Sequence, residues 1–507
     1  VAKASKHHAG LHPAPSLAYA AKIEVSVART VPSSATAVGV AVGSKGAVPR
    51  QLGVDREALV AAGFEGKPGQ TFVIPKDKDS ILVAIGIGDA SLDAARLRDA
   101  AASFARAASR HAKLATALAD VASGVAPSVA AQAVTEGVLL ARYRYEARKS
   151  KQSDVPLAQF TLVTTAERVK EETAGARLGH TFASAGLLAR DLANAPAKEL
   201  TATRMAEIAE EVARARGLQV EVFGKTDLEK LGCGGILGVN AGSTEPPRMV
   251  KLTYKPKGGK GKGAHLAMVG KGIMYDSGGI NLKPAQGMQL FMKMDMAGAA
   301  AVLGAISVLR DLDCPNTVTA FLMCTDNMPS GSATKMGDVL TQRNGKTVEI
   351  HNTDAEGRLI LADGLALAAE LKPDGIINIG TLTGAILAAL GELLTGVFSN
   401  NDAFATQVQA SANRTDETIW RMPLDRRYRK QIDSPIADLK NLGDAQPGSI
   451  TAALYLEEFV DGIPWTHFDI CGTMKSDTDD SWRSKGASGV GARLLADLAV
   501  NFTAPRA

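Results

Sequence analysis

The sequence predicts an α/β protein of two domains, each a sheet covered by helices, and three observations carry that expectation. Its 507 residues exceed what one hydrophobic core ordinarily organises. Strand-like and helical patterns alternate in both halves, as they do in sheets flanked by helices. Glycine and alanine are abundant and aromatics make up only 5 %, which suits closely packed helices and glycine-rich turns.

Taken in order, residues 20–27, 37–42 and 80–87 read as strands, 94–123 as an alanine-rich helix, 130–147 as another helix, and 159–164 as a strand. No cluster of His, Cys, Asp and Glu in this half suggests chemistry. Residues 166–194 read as helix, ending at Asn194-Ala195-Pro196, because a residue before proline disfavours helix. A second series follows: helix 203–216, strand 218–223, helix 225–231, strand 248–254, strand 264–269, helix 297–312, and strands 317–324 and 375–379. The Lys/Gly run 255–263 lies between two strands and reads as a solvated hairpin loop. It lacks the GK[ST] of a phosphate-binding loop. The expected domains are a flexible leader 1–19, an N-terminal α/β domain 20–170, a connecting helix 171–193 and a larger domain 194–507.

Composition excludes several classes. Hydrophobic residues at 46 % and charged residues at 22 % are ordinary for a soluble globular chain. A formal charge of +4 is small for this size and predicts no nucleic-acid partner. Cys233, Cys314, Cys324 and Cys471 show no CxxC spacing, so neither a zinc ribbon nor a disulfide framework is expected, and a reducing cytoplasm is the natural setting. Residues 1–15 have no apolar stretch of the secretory kind. The most membrane-like segment, 375–398, is interrupted by Asn378, three threonines and Glu392, and is expected to be a buried strand followed by a buried helix. No membrane partner is expected.

The most informative stretch is NTDAEGRL, residues 352–359. Asp354 and Glu356 stand two apart with small residues between them, and Arg358 follows. Brought together in a low-dielectric cleft, the two carboxylates would repel unless a cation sat between them. Hard divalent cations take oxygen ligands of this kind. Upstream, the glycine-rich segment 270–284 carries Lys271, Asp276 and Lys283 directly after a predicted strand, where α/β sheets bind ligands. Asp295 then stands just ahead of an apolar helix. Singly, each is an ordinary turn or cap residue. HExxH and GxSxG are absent, which argues against zincin and serine-hydrolase chemistry.

Together GKGIMYDSGGINLKP, MKMDMAGAA and NTDAEGRLILADGL resemble the leucyl (cytosol) aminopeptidase family, over most of the chain from about Asp191 onward. Asn194-Ala195-Pro196, the segment 242–247, Thr381-Leu382-Thr383-Gly384-Ala385 and Trp465-Thr466-His467-Phe468-Asp469 add support. The resemblance implies a macro-domain-like N-terminal domain and a catalytic domain with a mixed central sheet flanked by helices. It also implies two divalent metal ions per subunit, Mn²⁺ or Zn²⁺ with Mg²⁺ as a further option. Asp276 and Glu356 would be shared between the ions. Lys271 and Asp295 would complete one, and Asp354 the other through its side chain and carbonyl. Lys283 would be the catalytic lysine, and Arg358 would bind bicarbonate or an equivalent base. Met292, Thr381 and Gly384 would bind the substrate, Met292 lining an apolar S1 pocket that favours Leu or Met.

The implied substrates are peptides with a free N-terminus, and the implied assembly is a cytoplasmic homohexamer. The alternative, also drawn from the family, is a DNA-binding architectural hexamer. One departure stands out: from Asp276 to Asp295 the chain is one residue longer than the usual pattern, within residues 289–293. His467 reads as a buried, satisfied histidine rather than a ligand.

Overall fold

The computed structural model describes residues 12–146, 148–151, 153–256, 263–444 and 446–505. The chain forms two compact units, residues 1–187 with 476–486, and residues 188–475 with 487–507. Of the expected leader, residues 1–11 lie outside the described residues, and Ser16–Tyr19 forms a helical turn.

The first unit holds a six-stranded sheet in the order Glu24–Ala28, Gln159–Val163, Lys113–Thr116, Ala37–Val42, Ile81–Gly86, Thr71–Pro75. All neighbours are parallel except the last pair. Two expectations need correcting, and one strand went unread. The alanine-rich stretch 94–123 is not one helix. It is the helix Ala94–Ala107, then the strand Lys113–Thr116, then a 3-10 turn. Leu114 and Ala115 are buried between two neighbouring strands, and alanine, the best helix former in isolation, yields to that pairing. The edge strand Thr71–Pro75 gave no clear signal, being half-solvated and ending in proline. The first strand starts at Glu24, after a 3-10 turn at Ala20–Lys22.

The second unit is built on an eight-stranded mixed sheet. Its order is Ile419–Arg421, Thr395–Ser399, Trp465–Asp469, Gly375–Gly380, His265–Asp276, Thr317–Asn327, Arg248–Tyr254, Gln219–Phe223. The middle four strands, from Trp465–Asp469 to Thr317–Asn327, are mutually parallel and buried, and the flanks turn antiparallel. Ala297–Val308 packs on one face, with Ala299 against Gly270, where an added Cβ would come within 2.6 Å of the Ala299 Cα. Gly357–Glu370 packs on the other, its Gly364 lying over Val269 and Met323.

Two expectations fail here for reasons of topology. Arg248–Tyr254 and His265–Asp276 flank Thr317–Asn327 on opposite sides, so the run between them is no hairpin; residues 257–262 themselves lie outside the described residues. Segment 375–398 does contain the buried strand Gly375–Gly380, but Gly384–Leu390 buries only Ile386 and is largely exposed. Among the described residues, one stretch is apolar and long enough to span a membrane, Gln289–Val308, and 83 % of its apolar window is buried inside the protein. It is a 3-10 turn running into a core helix.

Candidate metal centre

The four parallel strands deliver their C-terminal ends to one place, where open α/β sheets bind ligands. Strand His265–Asp276 is longer than expected, so Lys271 and Asp276 stand on the strand itself rather than on a loop after it. Gly270 and Gly272 keep the strand going because no Cβ would fit there. One would meet Ala299, the other the Met323 carbonyl at 2.5 Å. Asp276 pairs in register with Asn327, and Gly380 with Asp469.

The NTDAEG loop arrives from a small sheet of Val339–Thr341, Thr347–Glu349 and Leu439–Lys440. Asn441, fully buried, pins it: its Oδ1 accepts from the His351 N–H at 2.8 Å, and its Nδ2 donates to the Asn352 carbonyl at 2.7 Å. Glu356 then stands directly ahead of the helix Gly357–Glu370.

These elements bring the expected residues into two linked groups. In the first, the buried Lys271 Nζ lies 2.8 Å from Asp295 Oδ2, 2.9 Å from Glu356 Oε1 and 2.6 Å from the Thr381 carbonyl, to which it donates. The Thr381 hydroxyl donates to Asp295. In the second, Lys283 Nζ sits 2.9 Å from Asp276 Oδ2 and 2.5 Å from Asp354 Oδ1. Asp276, Asp354 and Glu356 join the groups, each offering a carboxylate oxygen within 4.8 Å of the others. The segment with the extra residue is wound as the 3-10 helix Gln289–Met294, and Asp295 still reaches Lys271. Met292 adjoins the first group through its carbonyl, which accepts from the Asp295 N–H at 3.3 Å. Gly384 opens its helix with no atom within 4 Å of where a Cβ would stand. Thr383 caps that helix by accepting from the Ile386 N–H.

Electrostatics follow from burial. Removal from water, with Asp276 close by, pushes the Glu356 carboxyl up to about 8. Burial likewise pushes Asp295 up to about 6, against the pull of Lys271. Burial and Asp276 raise Asp354 as well. Both lysines are held charged: burial opposes this, and the facing carboxylates, Asp295 first for Lys271 and Asp276 first for Lys283, outweigh it. Three converging carboxylates, two with raised affinity for protons, are an oxygen donor set that fits a divalent cation. Arg358, 5 % exposed, keeps Nε and Nη1 without a hydrogen-bond partner among the described residues. Buried guanidinium N–H groups of this kind fit an anion.

His467 is buried, stacked on Trp465 and Phe398, and its Nδ1 meets Asn378 Nδ2 at 2.8 Å. Its Nε2 finds no partner among the described residues, so it is buried as expected but only half satisfied. Sequence reasoning missed three supporting residues, one of them Asn441, which pins the NTDAEG loop. Asn327 bonds Asp276 but lies beyond the strand end expected at 324, and a polar residue at a parallel strand's C-terminal end was the available signal. Asp469 accepts from the Leu382 and Thr383 N–H groups and the Thr383 hydroxyl, and so shapes the Thr381–Gly384 turn.

Comparison with known proteins places the chain. The catalytic-domain model of the cytosol aminopeptidase family matches residues 187–496, and that family's N-terminal-domain model matches residues 53–152. The class so defined is an aminopeptidase, a hydrolase of peptides. The chain belongs to the cytosol aminopeptidase family. A probable cytosol aminopeptidase of Streptomyces avermitilis is 42 % identical, the match covering 87 % of this chain and 88 % of that one. One of Alkaliphilus oremlandii is 40 % identical over 88 % of this chain and 91 % of that one. Among solved structures, the bottromycin maturation enzyme BotP in complex with Mn superposes with a TM-score of 0.84 at 37 % identity, covering 92 % of this chain and 99 % of that one.

Proposed function

We propose that this aminopeptidase uses two divalent metal ions to release N-terminal residues, leucine by preference, from peptides. The observation that carries the reading is the cradle itself, three carboxylate oxygens within 4.8 Å of one another beside two lysines. Asp276 and Glu356 would be shared between the ions, Lys271 and Asp295 would complete one site, and Asp354 would complete the other. Mn²⁺, Zn²⁺ and Mg²⁺ all suit oxygen-rich donors, and the manganese in the BotP complex favours Mn²⁺. Bound ions would lower the pKa of a water and polarise the scissile carbonyl.

The chain's own residues do the rest. Lys271 must surrender a proton to offer a lone pair, so metal binding releases protons. Lys283, kept cationic by Asp276 and Asp354, stabilises the oxyanion that develops on the carbonyl. Arg358 holds bicarbonate or an equivalent base beside the attacking water, a role its two unpartnered N–H groups support. Met292, Thr381 and Gly384 contact the substrate, the open space at Gly384 leaving room for its first side chain. The family's pattern supports a homohexamer, and the relatives' description as cytosol aminopeptidases supports a cytosolic location. No observation on the fold or the site favours DNA binding.

The test is hydrolysis of leucine p-nitroanilide before chelation, after it, and after Mn²⁺ is restored. Activity should vanish and return. Turnover that survives complete metal removal would overturn the mechanism, and equal rates on leucine and glutamate p-nitroanilides would overturn the preference.

A further inference from the structure

Asp276 belongs to a central strand, whereas Asp354 and Glu356 belong to a loop carried by a different sheet. Their oxygens can meet only if the two segments are held at a set distance. Asn327 touches both. It is the register partner of Asp276 on the adjacent strand and is 4 % exposed. Its Nδ2 donates to Asp276 Oδ1 at 2.8 Å and to the Thr353 carbonyl at 3.0 Å, using both amide hydrogens.

The Gly278 N–H also donates to Asp276 Oδ1, at 2.9 Å. A carboxylate oxygen has two lone-pair positions. Oδ1 is therefore filled, and Oδ2, the oxygen facing Lys283, is the one presented to the cradle. The Asn327 carbonyl accepts from the Ser277 N–H at 3.0 Å and from its hydroxyl at 2.7 Å, fixing the turn after Asp276. The Thr353 hydroxyl closes the circuit by donating to the Gly278 carbonyl at 2.7 Å. Gly279, at φ 68°, leaves room for the amide, since a Cβ there would stand 2.9 Å from Asn327 Oδ1.

We propose that Asn327 is a positioning residue that sets the metal affinity of the centre, by orienting Asp276 and spacing it from the NTDAEG loop. This rests on the metal-cradle reading of the site. Partners that orient ligating carboxylates typically contribute about 10–100-fold to metal affinity.

The experiment is calorimetric titration of Mn²⁺ into the chelator-stripped, full-length protein and its Asn327→Leu and Asp276→Asn variants, with thermal melting of each in chelator. Asn327→Leu keeps the branched shape and removes both donors. Its Mn²⁺ dissociation constant should rise about 10–100-fold, and its melting point in chelator should fall modestly, because Asp276 Oδ1 and the Thr353 carbonyl each lose a buried donor. A folded Asn327→Leu protein with a dissociation constant within about twofold of wild type would overturn the inference, as would a lowered melting point with unchanged affinity. If the leucine variant does not fold, Asn327→Ser is measured against the same outcomes. Asp276→Asn separates the two readings. If it binds Mn²⁺ as wild type does, the cradle reading itself falls; if it loses Mn²⁺ and the Asn327 variants do not, only the positioning role falls.

Discussion

At the scale of single residues, the centre is a balance of buried charges in which each carboxylate is kept by a specific neighbour. Asp354 faces Lys283, and both lie beside Asp276. Asp354→Asn keeps the size and removes the charge. It should lower kcat by at least about 10²–10³-fold, the scale of losing one preorganised group at a reacting centre. Circular dichroism should be unchanged, and near-normal turnover in a folded variant would show that Asp354 is not part of the centre. His467 offers a separate test away from the carboxylates. Burial pushes its imidazole down to about 3, whereas an unfolded histidine titrates at about 6.5. Between those values the unfolded chain binds a proton that the folded chain refuses. Its contribution is therefore intact above about pH 6.5 and is lost at up to about 1.4 kcal/mol per pH unit as pH falls toward 3. Denaturant midpoints at neutral and acid pH should fall more steeply in wild type than in His467→Leu; parallel slopes would count against this assignment.

At the scale of elements, the glycines decide how close helix and strand can come. A Cβ on Gly357 would stand 2.5 Å from Lys271 Cε and 2.7 Å from its Nζ. In an exposed helix, alanine would be favoured over glycine by about 1 kcal/mol. Here Gly357→Ala should leave the helix intact and push Lys271 off Asp295 and Glu356. A displacement of about 1 Å at a catalytic group costs on the order of 100-fold. Turnover and Mn²⁺ affinity should drop together, and melting in chelator should fall as well, because Lys271 is displaced from two buried carboxylate partners. A variant with wild-type kinetics would mean that the Lys271 position is not critical. The same reasoning explains why the strand His265–Asp276 continues through two glycines that look like a loop in the sequence. They are there because Ala299 and the Met323 carbonyl press against the backbone.

At the scale of the whole molecule, the centre draws on chain segments that meet only in the folded second unit, so a metal bound there would be thermodynamically linked to folding. An ion that binds the folded state alone stabilises it by about 2.7 kcal/mol at 100 times its dissociation constant. Mn²⁺ should therefore raise the melting temperature, and Asp276→Asn should abolish the rise. An equal rise in the variant would place the stabilising ion somewhere other than this cradle.

The sequence by itself determined the two-part α/β plan, the strands 37–42 and 248–254 to the residue, the family, and the identity of the six acidic and basic residues that converge. Periodicity marks buried faces, and the motifs concentrate rare residue combinations in a few short blocks. Only the tertiary structure decided that the alanine-rich segment after 107 splits into a strand, because alanine is compatible with either conformation and sheet pairing chooses. It alone put Arg248–Tyr254 and His265–Asp276 on opposite sides of a third strand. It also decided that Asn327, Asn441 and Asp469, whose roles nothing in the sequence marked, bond the centre's segments to one another. Strand order and hydrogen bonds between distant segments leave no periodic trace in a single sequence, so such roles appear only once the chain has folded.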